Sequence, residues 1–340
     1  MIPYPLRKQS RQTLRMNKHR LSLVAIFILS ACAASPPPCQ QTATTSLHVY
    51  FDSTATPFVL AGLNTTPAAM LVDTGAETTL ISQQIAGEAG LSKKIFDQPV
   101  VASSDDGELP AYITTVPQLV LGNAVAKDAK IVAFVKPTSA WAFGTKSAID
   151  GSLGNDIWQN YDVDLNFPAR TMTLYNKISC VALPLSWSGK ITAVAVTIDY
   201  YGEVFVPVTI DGHRLMAMLD TGTTKSTLPA LLIATSGLSS GEAPTLKTIN
   251  IVTITGIVRA KVVGFNKMDI GTETIKNPIF AVPEIDPNVE KLLLASPGLM
   301  NSSNPFMAYN KYNDMILGED FIRAHRMFIS YGTHMLYIQN

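Results

Sequence analysis

Cysteine, histidine and charge are all scarce in this chain, and each shortage removes a class of function. Of 340 residues only 3 are Cys and 5 are His. None of them has metal-site spacing, so neither a metal nor a cofactor is expected. His213, His325 and His334 also lack any nearby Ser or Cys nucleophile signature. Charged residues make up 15%, with 26 basic and 26 acidic side chains and a formal net charge of zero. A neutral chain without a basic stripe does not suit a nucleic-acid partner. No apolar run reaches the roughly twenty residues of an ordinary membrane span. What remains is 47% hydrophobic, enough for a real core and for two domains of ordinary size.

The N-terminus is the exception to the even charge. Arg7, Lys8, Arg11, Arg15, Lys18 and Arg20 precede the apolar run Leu21–Ala31, which ends at Cys32. A basic segment followed by a short apolar one marks an export signal. Leu29-Ser30-Ala31-Cys32 resembles the lipobox of bacterial lipoproteins, which implies lipidation of Cys32 after removal of residues 1–31. The other reading is a plain secretory signal cleaved near Ala34. Ala33, following the Cys, favours the outer membrane, with the chain facing the periplasm. Met16 opens a more typical signal than Met1. Cys39 and Cys180 either pair in that oxidising compartment or are unrelated. Residues 32–46, rich in Pro, Thr and Ser, read as a flexible spacer.

Beyond the spacer, alternating β-branched segments broken by Gly, Pro and Asn predict a mainly β chain, with strands at 47–51, 58–63, 111–121, 131–135, 163–165 and 171–175. The sequence also repeats itself. A shift of 147 residues places Asp52 on Asp199, Phe58 on Phe205 and Asp73-Thr74-Gly75 on Asp220-Thr221-Gly222. After a short gap Gly107–Gly122 matches Gly256–Gly271, and at a shift of 164 residues 150–156 match 314–320. A period this long predicts two like lobes, 47–182 and 190–340, joined by a linker at 183–189. The second copy carries an insertion near 284–312.

One Asp-Thr-Gly is weak evidence, since it arises by chance in roughly one such chain in twenty. Two copies at matching places in a repeat are not weak. An apolar strand running into Asp-Thr-Gly brings a carboxylate to the edge of a dry core, and Gly allows the tight turn that aims N–H groups at it. Val72-Asp73-Thr74-Gly75-Ala76, Thr79-Leu80-Ile81 and Leu153-Gly154-Asn155-Asp156 resemble the retropepsin-like aspartic proteases. So do Leu219-Asp220-Thr221-Gly222-Thr223 and Ile316-Leu317-Gly318 in the second copy. The resemblance covers most of 47–340 and implies two β-barrel lobes of the acid-protease fold in one chain, an intramolecular pseudo-dimer.

That resemblance further implies an endopeptidase acting on a peptide or protein. Asp73 and Asp220 would share a proton and activate a water. Thr74 and Thr221 would lock the lobes, and Gly75 and Gly222 would offer N–H donors. Ala76 and Thr223 complete the supporting set. Thr223 offers its Asp a hydroxyl and Ala76 does not, which favours the proton on Asp73, and a nearby Glu77 charge would push the same way. The hairpins around Asp105, Asp106 and Gly107, and around Thr255 and Gly256, are either flaps over the cleft or ordinary turns. Two further readings stay open: a peptide-binding lipoprotein without turnover, and lobes that pair between molecules. The short linker favours a monomer.

Overall fold

The computed structural model describes residues 41–52, 55–91, 100–104, 107–134, 149–178, 187–238, 248–252, 257–284 and 314–339. Cys32, Cys39, Cys180, Trp141, Asp105, Asp106, Thr255, Gly256 and the insertion beyond Glu284 lie outside the described residues. The chain is mainly β, and its strands alternate between core and solvent as the sequence requires.

Lobe 1 opens with β1 (Ala43–His48), β2 (Tyr50–Phe51), β3 (Pro57–Leu63) and β4 (Thr66–Val72). It continues through β5 (Leu80–Ser82), the short helix α1 (Gln83–Glu88), β6 (Val100–Ser104), β7 (Gly107–Leu121) and β8 (Ala124–Phe134). It ends with β9 (Gly151–Leu153), α2 (Asn155–Trp158), β10 (Tyr161–Asn166) and β11 (Thr171–Asn176). The order β3-β4-β9-β5-β8-β7 closes on itself because β7 also pairs with β3 through Gly62↔Val120. Closure removes sheet edges and encloses Val59, Met70, Val72, Ile81 and Leu153, all fully buried. The strand at β1 corrects the expectation of a spacer up to residue 46. Thr45, Leu47 and Val49 alternate inward, and pairing with β11 fixes the segment from Ala43 onward.

Lobe 2 repeats the plan with β12 (Ile191–Ala195), β13 (Thr197–Ile198), β14 (Val204–Ile210), β15 (His213–Leu219) and α3 (Ala230–Ser236). The Asp211-Gly212 turn between β14 and β15 has both φ angles positive, 46° and 92°, as a two-residue hairpin of this type demands. Then follow β16 (Thr248–Val252), β17 (Ile257–Gly264), β18 (Lys267–Ile270), β19 (Glu273–Lys276) and β20 (Ile279–Pro283). The closing elements are β21 (Met315–Leu317), α4 (Glu319–Ile322), β22 (Arg326–Ser330) and β23 (Met335–Gln339). Where lobe 1 has the short strand β5, lobe 2 has a single residue, Thr227, bridging Ala281 and Ile316 with the same parallel and antiparallel senses.

The lobes share a six-stranded sheet in the order β1-β11-β10-β22-β23-β12. Its central seam pairs β10 with β22, Val163↔Ile329 to Asn166↔Arg326. Across that seam the Arg326 guanidinium grips Asp164 at 3.0 and 2.5 Å, and its face covers the Trp187 ring at 4.6 Å. Trp158 is a core residue, its Nε1 donating to the Leu153 carbonyl at 2.7 Å.

Candidate active site at the lobe junction

Both Asp-Thr-Gly segments follow a buried strand, β4 or β15, that lies parallel to a short strand, β9 or β21. The Asp73 N–H donates to the Leu153 carbonyl (3.2 Å) and the Asp220 N–H to the Leu317 carbonyl (3.0 Å), which stops each strand at its aspartate. The two turns then meet. The Thr74 N–H donates to the Thr221 hydroxyl at 3.0 Å, and the Thr221 N–H to the Thr74 hydroxyl at 3.1 Å. Each hydroxyl donates onward across the junction, Thr74 to the Leu219 carbonyl (2.7 Å) and Thr221 to the Val72 carbonyl (2.5 Å). These four reciprocal bonds are buried, so separating the turns would strand polar groups away from water.

Locked in this way, the Asp73 and Asp220 carboxyls hydrogen-bond to each other. Asp220 is buried, whereas Asp73 keeps some exposure. Each glycine packs on the opposite aspartate: a methyl group on Gly222 would lie 2.5 Å from Asp73 Oδ1, and one on Gly75 would lie 2.6 Å from Asp220 Oδ1. Backbone N–H groups face the carboxylates from their own turns, Gly75 to Asp73 at 3.2 Å, and Gly222 and Thr223 to Asp220 at 2.7 and 3.2 Å. The Thr223 hydroxyl also donates to Asp220 Oδ2, and Ala76 has no hydroxyl to offer Asp73.

The electrostatics follow this difference. Burial and then the neighbouring Asp220 charge hold Asp73 well above the usual carboxylate range. Burial raises Asp220 as well, but the Thr223 hydroxyl and the turn N–H groups pull it back. These surroundings favour the neutral form at Asp73 and the ionised form at Asp220. The groups that act most on Asp73 are its burial, Asp220 and the turn N–H groups, while the Glu77 carboxyl is itself raised by burial and then by Asp199 of the other lobe.

Beneath the turns lies support that the sequence reading did not assign. Asp156 Oδ1 accepts from the Thr79 N–H (2.9 Å) and hydroxyl (2.6 Å), and Asp320 Oδ1 accepts from the Ser226 N–H (2.8 Å) and hydroxyl (2.7 Å). Asn155 Nδ2 donates to the Thr74 carbonyl at 2.9 Å and its Oδ1 accepts from the Tyr331 hydroxyl of lobe 2 at 3.2 Å. The signal for these residues was their coincidence in the repeat at the shift of 164. The candidate flap strands form antiparallel pairs, β6 with β7 to Ser104↔Gly107 and β16 with β17 to Val252↔Ile257. The turns between them lie outside the described residues, apart from Gly107 at the start of β7.

Each lobe also matches a family model of aspartyl proteases. Residues 59–145 match the gag-polyprotein aspartyl protease family, and residues 206–321 match the family described as aspartyl protease. Each lobe is thus similar in sequence to an aspartyl-protease family, as well as built on the same strand plan. No curated protein matches it.

Proposed function

We propose that the chain is an aspartic endopeptidase with Asp73 and Asp220 as its catalytic pair. The observation that carries this reading is that the cross-lobe threonine bonds and the two glycines packed on opposite aspartates bring the Asp73 and Asp220 carboxyls side by side, one from each lobe. Such a pair holds one proton over a wide pH range. Ionised Asp220 takes a proton from a water as its oxygen attacks the scissile carbonyl carbon, while Asp73 gives its proton to the carbonyl oxygen. The resulting gem-diol collapses: a diol hydroxyl returns its proton to Asp73, Asp220 gives its proton to the nitrogen, and the C–N bond breaks, leaving the pair as it began. The cross-lobe threonine bonds hold both acids in register throughout.

New internal chain ends must appear when an unfolded substrate protein is incubated with the purified protein at mildly acidic pH. A peptide bearing a hydroxyl at the scissile carbon must compete with that cleavage. Intact substrate with retained binding of the mimic would mark the chain as a peptide-binding module instead.

The division of roles has its own test. Thr223→Ala removes a hydrogen bond that favours ionised Asp220, so the pair loses its first proton at higher pH. The acid limb of the pH–rate profile should rise by about one unit, the equivalent of one charge-assisted bond. Ala76→Ser supplies Asp73 with a donor and should lower that limb. An unmoved acid limb in an active Thr223→Ala variant would overturn the assignment.

A lipid anchor at Cys32 on the periplasmic face of the outer membrane completes the proposal, carried by the Leu29-Ser30-Ala31-Cys32 motif. Fatty-acid labelling should tag the wild type and not Cys32→Ser. Equal labelling of both would remove the anchor.

A further inference from the structure

The repeat places Glu319 where lobe 1 has Asn155, and the backbone bonding around the two residues matches. The Asn155 N–H donates to the Ala76 carbonyl at 2.7 Å, and the Glu319 N–H to the Thr223 carbonyl at 2.8 Å. The following aspartates, Asp156 and Asp320, bind Thr79 and Ser226 in the same way. Residues 155 and 319 therefore start from equivalent points beneath their Asp-Thr-Gly turns.

Their side chains differ in how they are satisfied. Asn155 donates to the Thr74 carbonyl and accepts from the Tyr331 hydroxyl. Glu319 is as deeply placed, at 2% exposed, yet its Oε1 has no hydrogen-bond partner among the described residues. Its ion-pair partner Arg323 stands off at 3.5 Å. At the shift of 164 that relates these segments, Tyr331 corresponds to Phe167, since 331 − 164 = 167. The hydroxyl that serves Asn155 thus has no counterpart in the other lobe. A buried carboxylate oxygen without a donor is costly, whereas the neutral acid is cheaper to bury and has an O–H to give.

We infer that Glu319 is a positioning residue, neutral and donating to the Thr221 carbonyl as Asn155 donates to that of Thr74, and that its ionisation loosens the turn carrying Asp220. The effect on catalysis rests on the peptidase reading; the ionisation does not. The charges facing Glu319 divide evenly in sign. Arg323 on its own helix and Lys225 on the preceding turn favour the anion, while Asp320 beside it and Asp52 of the other lobe oppose it. Burial outweighs the cations and lifts the carboxyl from 4.5 to about 7. The folded protein therefore keeps a proton that the unfolded chain has released between these values. The stability this proton contributes is full below pH 4.5 and is lost as the pH rises through about 7.

Glu319→Gln keeps an N–H donor at every pH and isolates the effect. Thermal midpoints and kcat of both proteins are measured from pH 4 to 9. The wild type should lose Tm relative to Glu319→Gln as the pH rises, and the ratio of wild-type to variant kcat should fall about tenfold between pH 5 and 8. A group titrating near 7 is about nine-tenths ionised at pH 8, and the ratio cancels the titration of the aspartate pair itself. A Tm difference that is constant with pH overturns the ionisation. A pH-dependent Tm difference with a flat kcat ratio overturns the positioning role. Absence of cleavage at every pH overturns the peptidase reading and the positioning role with it, while the Tm comparison still decides the ionisation. Should the variant not fold, wild-type protein carrying ¹³C-labelled glutamate must show the Glu319 carboxyl titrating near 7, and titration near 4.5 overturns the proposal.

Discussion

Asp73→Asn and Asp220→Asn should each leave the substrate intact, lowering kcat by roughly 10²–10⁴-fold or more, the usual worth of positioned acid–base groups. In the proposed mechanism the two neighbouring carboxyls hold one proton between them, so neither does its work alone. Losing both should cost little more than losing one. Asn preserves the shape of each side chain and removes a buried carboxyl, so the melting temperature should hold or rise. Cleavage at the wild-type rate by either variant would remove that aspartate from the mechanism. Loss of folding along with activity would instead make the pair structural.

Gly222→Ala and Gly75→Ala should be the most damaging substitutions outside the aspartates. A methyl group at either position overlaps the carboxyl of the opposite lobe, 2.5 Å from Asp73 Oδ1 or 2.6 Å from Asp220 Oδ1. Something must move by about an ångström, and a shift of that size at reacting groups costs about a hundredfold in rate. The two are not equivalent. Asp220 is tied by the Thr223 hydroxyl and by two N–H groups, so it has less room to yield than Asp73. Gly75→Ala should therefore destabilise the protein more than Gly222→Ala. Gly87, in α1, has nothing within 4 Å of an added methyl group. Gly87→Ala serves as the control and should leave both activity and stability at or above wild type. Equal activity of all three variants would show that the turns do not meet as described.

The strand pattern and the paired turns were legible in the sequence because both depend on local chemistry. Alternation along Phe58–Leu63 and the apolar runs into Asp73 and Asp220 need no knowledge of distant neighbours. Barrel closure was legible only through the family resemblance, since the pairing of Gly62 with Val120 joins residues that no local pattern connects. Nor does any local pattern connect Tyr331 to Asn155, a tie that exists only because the closing strands of one lobe reach the helix of the other. Glu77 stands near Asp73 in sequence, yet the charge that bears on its own carboxyl is Asp199, 122 residues on in the other lobe. Asp156 and Asp320 stand in the first turns of α2 and α4, and Asp320 Oδ1 accepts from the Phe321 N–H at 3.0 Å, but the ties of the same oxygens to Thr79 and Ser226 join residues distant in sequence.

The seam between β10 and β22 bears on how dilution affects the molecule. A lobe cut from its partner would present the edge Val163–Asn166 with unpaired N–H and C=O groups, a template for another strand. In a chain built from two separate copies, the site would exist only above the concentration at which such edges find each other. Fusion replaces that encounter with an intramolecular one, at an effective concentration on the order of millimolar for a short linker. Assembly of the aspartate pair is then first-order, and the site persists however few molecules are present. Fusion also frees the two halves from being identical, so Ala76 can stand opposite Thr223 and Asn155 opposite Glu319 within one molecule.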